Sequence, residues 1–244
     1  MNLNKLLPLL LLLLIFTSCS RKYKIEGASS VRSLDGRMLF IKVLQDSEWI
    51  KIDSAEVIHG LFSMKGAIDS VMMATLYMDD DAIMPLILEK GNIKISITNT
   101  QLKVEGTSLN DALYKFIDQK NTMDLKIEEL EHKEAQMVMA GADLVDIHEQ
   151  LTKEGEVLVK EMNQFVKQFI IDNYDNVLGT SVFMMLCSNL PYPVLTPQIE
   201  DILKNAPYSF KNNKMVKEFV TKAKENMQLI EEHELMEQNA PVGN

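Results

Sequence analysis

The sequence predicts an α+β chain, with an N-terminal antiparallel β-sandwich or open barrel of about eight strands and then an α-helical region built on a long αα-hairpin. Three observations carry that expectation. Ile93-Lys94-Ile95-Ser96-Ile97-Thr98 alternates apolar and polar residues with period two, which buries one strand face and wets the other. Turn formers such as Asp35-Gly36, His59-Gly60, Asp79-Asp80-Asp81 and Lys90-Gly91-Asn92 recur between short apolar runs, at the spacing of about 10 residues typical of sandwiches and barrels. After Gly106 the period changes from two to steps of three and four, the repeat of an amphipathic helix.

Taken in chain order, strands are predicted at Tyr23 to Ala28, Met38 to Leu44, Trp49 to Val57 and Leu61 to Gly66. Four more follow at Val71 to Met78, Ile83 to Glu89, Ile93 to Thr98 and Gln101 to Glu105. Pro85 places its strand at a sheet edge or its residue at a strand start, because proline cannot donate to the ladder. The first helix opens at Ser108, with Asp111 in the position of a capping-box acid. Its apolar series runs Leu109, Leu113, Phe116, Met123, Ile127, Leu130 and Met137, and Gly141 breaks it. A second series, Leu144, Ile147, Leu151, Gly155, Leu158, Met162, Phe165 and Phe169, makes the returning arm of a hairpin about 45 Å long. Leu178 to Cys187 is a compact apolar segment, and Pro191-Tyr192-Pro193 is an extended connector. Thr196 before Pro197 caps a helix to Asn205, and a last helix uses Met215, Phe219, Val220, Ala223 and Ile230.

The first residues point to the envelope. Met1 to Lys5 carries one positive charge, and Leu6 to Phe16 is an apolar run about half as long as a membrane span requires, as in the core of a secretory signal. Phe16-Thr17-Ser18-Cys19 resembles the lipobox of bacterial lipoproteins, with Phe where Leu is commoner. That resemblance implies a diacylglycerol on the Cys19 sulfur, cleavage before Cys19 and acylation of the new amino terminus. Several acyl chains give a firm anchor, since each buried CH₂ contributes ~0.8 kcal/mol. Ser20 in place of Asp favours the outer membrane by the same resemblance, and the lack of an acidic run after Cys19 points towards the periplasm. The predicted organisation is therefore a signal at 1–18, a β module at 19–106, a helical region at 107–238 and a linker-like tail at 239–244.

Composition removes some partners and motifs remove some chemistries. The chain has 25 Lys and Arg against 35 Asp and Glu, a net charge of −10, which argues against nucleic acid. Beyond Cys19 the one remaining cysteine is Cys187, so no internal disulfide and no CxxC site is expected. Cys187 lies in Ser181-Val182-Phe183-Met184-Met185-Leu186-Cys187, an apolar setting that reads as a buried structural thiol. His59, His132, His148 and His233 are scattered, and His233-Glu234 is followed by Glu237 where a zincin needs its second histidine. Glu128 and His132 share a helix face without a visible third ligand, and Asp79-Asp80-Asp81 lacks the spacing of a calcium loop. The methionines, among them Met72, Met73, Met78, Met84, Met184 and Met185, read as core filling. No P-loop, GxGxxG or nucleophile elbow occurs, so no catalytic, metal or cofactor site is expected.

The strand half carries four motifs in order: Asp53-Ser54-Ala55-Glu56-Val57; Gly60-Leu61-Phe62-Ser63-Met64-Lys65-Gly66; Leu88-Glu89-Lys90-Gly91-Asn92-Ile93; and Val104-Glu105-Gly106-Thr107-Ser108-Leu109-Asn110-Asp111. Together they resemble the domain of unknown function 4369, an N-terminal β module of bacterial lipoproteins, over about Tyr23 to Phe116. In that family a helical segment and then a thioredoxin-like domain usually follow. Phe169-Ile170-Ile171-Asp172-Asn173-Tyr174-Asp175-Asn176 is similar to the end of the helical segment, and Ala240-Pro241-Val242-Gly243-Asn244 to the residues before the thioredoxin-like fold. The resemblance assigns no catalytic residue here. The function expected is a non-catalytic envelope lipoprotein that binds or scaffolds a partner, a thioredoxin-like or other envelope protein. The alternative is the accessory part of a thiol-disulfide oxidoreductase or peroxiredoxin-like system whose catalytic domain lies elsewhere.

Overall fold

A computed structural model describes residues 21–45 and 48–238, except for the side chains of Glu131 and of residues 234–238. Cys19, the signal and the tail at 239–244 lie outside the described residues. The chain divides into two compact units at Asn110/Asp111.

The first unit is the α+β chain's sandwich. Its eight strands are β1 (Arg21–Ser29), β2 (Met38–Gln45), β3 (Glu48–Glu56), β4 (Leu61–Ile68), β5 (Met72–Met78), β6 (Asp81–Leu88), β7 (Gly91–Ile97) and β8 (Leu102–Glu105). They form two four-stranded sheets, ordered β4-β1-β7-β8 and β3-β2-β5-β6. Every pairing is antiparallel except β1 with β7, which run parallel with Ile25 opposite Ile93. The period-two patterns determine which side chains face in. Ile25, Leu39, Ile41, Leu76, Leu86 and Ile93 have no exposed surface and form the centre of the core. Pro85 sits on β6, an edge strand, where a missing backbone N–H costs least.

Two aromatic rings cover glycines across the β1–β4 pair. Phe62 lies over its partner Gly27, where an added Cβ would come within 2.0 Å of the ring, and Tyr23 lies over its partner Gly66. Tyr23 also joins the two sheets, because its hydroxyl donates to Asp53 Oδ2 on β3 at 2.8 Å. Burial, and then the Asp53 carboxylate, raises the Tyr23 pKa well above its usual value. The hydroxyl therefore stays a donor.

The second unit is helical: α1 (Ser108–Met139), α2 (Leu144–Asp172), α3 (Val177–Ser188), α4 (Pro197–Lys204), α5 (Tyr208–Lys211) and α6 (Lys214–Gln238). The first two are the expected hairpin. Phe116 stacks on Phe165 and Phe169, Leu130 lies against Gly155, and Lys133 pairs with Glu154 at 2.6 Å, a register that only antiparallel arms produce. The turn is a Schellman motif: Ala142 N–H donates to the Met137 carbonyl, Gly141 N–H to Val138, and Gly141 takes φ +79°. Asp143 then accepts from the amides of Val145 and Asp146 and caps α2.

Around one end of the hairpin, α3, α4, α5 and α6 complete a core of Val166, Ile170, Phe183, Ile199, Phe210 and Phe219. Thr196 caps α4 ahead of Pro197 as its spacing predicts. Two details differ from the sequence reading. Leu144, placed on the apolar stripe, is 67% exposed, because it begins α2 at the turn where no third helix covers it. On α6 the buried positions are Val216, Phe219 and Ala223, while Met215 and Ile230 are exposed.

Candidate functional site

Two of the four motifs meet where β6 and β7 approach the start of α1. Leu109 and Asn110 are in the first turn of α1, where helix amides have no partner within the helix. They donate instead to Glu89 Oε1, at 2.9 and 3.3 Å, so a carboxylate just beyond β6 caps the helix from another part of the chain. Asn110 is wholly buried and uses both ends of its amide. Its Oδ1 accepts from Ile87 N–H at 2.8 Å, and its Nδ2 donates to the Ile87 carbonyl and to Thr107 Oγ1, each at 2.8 Å. Asn110 thus occupies the place of one more strand residue against β6. Gly106, at φ +95°, lets the chain turn from β8 into the helix, and a side chain there would meet the Asn92 carbonyl at 2.7 Å.

The other two motifs are also bound into the sandwich. Asp53 holds Tyr23, and Val57 exchanges backbone bonds with Gly36 and Arg37. His59 and Gly60 both have positive φ, as a two-residue hairpin turn requires. Gly60 N–H donates to Asp35 Oδ1 at 3.1 Å, and its carbonyl accepts from Ser29 at 2.7 Å. The motif residues therefore specify the fold of the sandwich.

The candidate chemical residues fall elsewhere. Cys187 is buried on α3, and burial pushes its thiol up to about 12, away from a reactive thiolate. Asp79 and Asp80 form a hairpin tip held by cations: Asp79 pairs with Arg37, and Lys42 reaches the Asp79 carbonyl and the Asp80 carboxylate. His59, His132, His148 and His233 are exposed, as is Glu128. Among the described residues no three His, Cys, Asp or Glu side chains are gathered to hold a metal. The predicted lipid site, Cys19, lies outside the described residues.

What the sequence reading missed is surface. At the hairpin turn Met139 is 88% exposed and Val145 73%, beside the exposed Leu144 and Val138. From Glu134 to Glu149 there are four carboxylates and no Lys or Arg. Periodicity assigned Leu144 to a core face and left Val138, Met139 and Val145 outside both apolar series, so nothing in the pattern marked them as an uncovered group. No curated protein matches the sequence. Residues 23–113, which run from within β1 into α1 and include the Glu89–Asn110 contact, match the family model described as Domain of unknown function (DUF4369), and this part of the chain is similar to that family.

Proposed function

We propose that the chain is a non-catalytic lipoprotein of the bacterial envelope, anchored through Cys19 in the outer membrane and facing the periplasm, that binds or scaffolds an envelope protein. One observation carries the non-catalytic part. The polar side chains of the family motifs, Asp53, Glu89 and Asn110, are spent on hydrogen bonds inside the sandwich and not aimed at a cleft. The exposed apolar turn of the hairpin supports a binding role, since several large apolar side chains left uncovered at one turn suit contact with another protein. The lipobox-like Phe16-Thr17-Ser18-Cys19 supports the anchor.

The intact mass of the native protein extracted from membranes tests this reading. Expected is a mass that includes acyl chains on Cys19 with the preceding residues removed, and no disulfide reductase turnover by the purified protein. An unmodified Cys19 would remove the anchor. Measurable turnover would overturn the non-catalytic reading in favour of a thiol-disulfide oxidoreductase system.

A further inference from the structure

The sheet β4-β1-β7-β8 has two unlike faces. Its inward positions, such as Tyr23, Ile25, Ile93, Ile95 and Val104, are buried. Its outward positions carry five lysines: Lys22 and Lys24 on β1, Lys65 on β4, Lys94 on β7 and Lys103 on β8. Against them stand two carboxylates, Glu26 and Glu105. A chain of net charge −10 thus gathers an excess of positive charge on one sheet face.

The register makes this costly for folding alone. Lys24 lies directly opposite Lys65 across the β1–β4 pair, and like charges in that position destabilise a sheet. Glu26 offsets part of the cost through its ion pair with Lys24, and it also accepts from Asn92 at 2.8 Å. Lys94 lies opposite Glu105 on β8 and Glu26 on β1, and Lys103 pairs with Glu105 at 2.6 Å, so these two carboxylates serve five lysines. The arrangement is one that an anionic partner would relieve.

The position of β1 says which partner. Ser20 alone separates Cys19 from Arg21, the first residue of β1. Lys22 is therefore within about 11 Å of Cys19 along even a fully extended chain, close to the distance over which charges act in physiological salt. We propose that this outward face lies on the membrane that holds the Cys19 lipid and binds anionic phospholipid headgroups. The proposal rests on the anchor reading above. Acyl chains fix the distance, and the lysines then fix which side of the sandwich meets the bilayer. An acidic protein would also suit the charge, but the anchor brings the bilayer to this face first.

The test is a lysine footprint of the membrane-extracted protein on vesicles of phosphatidylcholine alone or with added phosphatidylglycerol. An amine-acylating reagent is followed by mass spectrometry of the peptides. Expected is several-fold slower acylation of Lys22, Lys24, Lys65, Lys94 and Lys103 when phosphatidylglycerol is present, reversed by high salt. Lys160 and Lys224 on the helices should label equally on both vesicles. The triple variant K24E/K65E/K94E should lose the protection, and each lysine removed singly should weaken the phosphatidylglycerol-dependent binding of the unlipidated Cys19→Ser protein about five-fold. Equal labelling of the five lysines on both vesicles would overturn the proposal. So would protection in native envelopes that phosphatidylglycerol vesicles fail to reproduce, which would assign the face to an acidic protein. The intact mass of the same sample reports the Cys19 lipid separately, so a missing anchor and an inert face give different results.

Discussion

The sandwich and the far half of the helical hairpin bury their apolar residues to different depths. In the sandwich two sheets cover each other, and Ile25, Leu39, Leu76 and Leu86 lose all their exposed surface. In the hairpin beyond about Met123 two helices cover only the stripe between them, so Leu130, Leu151 and Leu158 remain half-buried and, among the described residues, Ile147 alone is fully enclosed. Where α3, α4 and α6 add a further layer, the same hairpin acquires a core as closed as the sandwich's, with Ile170 and Phe183 at 0% exposure. Burial here follows the number of layers rather than the hydrophobicity of the stripe.

Truncations should separate the two regions. Leu86→Ala is expected to destabilise the sandwich by about 3–4 kcal/mol, the cost of a cavity in a closed core. Leu158→Ala should cost the helical unit roughly 1 kcal/mol, because the site is already partly wet and can collapse. Denaturant unfolding followed at each unit would measure both, and equal losses would mean that layer number is not what sets burial energy here. Asn110→Ala falls next to Leu86→Ala, at about 2–3 kcal/mol, since it leaves both polar groups of Ile87 without their Asn110 partners in a buried place. Asn110→Asp should not rescue it, because a carboxylate cannot donate to the Ile87 carbonyl.

The smallest effect concerns the exposed charges that join the hairpin arms. Hydrogen bonds from Gln150 and Lys133 hold the Glu154 carboxyl below its ordinary value. A depressed acid stabilises the fold above its unfolded value, and that contribution is lost as pH falls through the folded one. The helical unit should therefore weaken slightly as pH drops below about 4.5, and Glu154→Gln should flatten that slope. An unchanged slope in the variant would show that the Lys133–Glu154 pair does not hold the arms together. Screening keeps this effect small.

Most elements were legible. The strand reading placed all eight strands to within one or two residues, and the three-four spacing broken at Gly141 placed the hairpin and its turn. Thr196-Pro197 placed a helix start from two residues, because capping is local chemistry. The contacts that give the motifs their meaning were not legible. Glu89 reads as a strand-end acid, and Asn110 as a polar residue just inside a helix. Only when β6 and α1 come together does one become a cap and the other a surrogate strand.

The sequence by itself determined the two periodicities, the punctuation between them and the lipobox-like start, since each depends on residues close in the chain. The tertiary structure decided the rest. It set the parallel β1–β7 pair between strands more than sixty residues apart, the Tyr23–Asp53 link between sheets and the uncovered apolar turn at Met139 and Leu144. It also gathered five lysines from four strands onto one face. Periodicity tells a side chain which face of its own element it occupies. What covers that face depends on elements remote in sequence, and only packing brings those together.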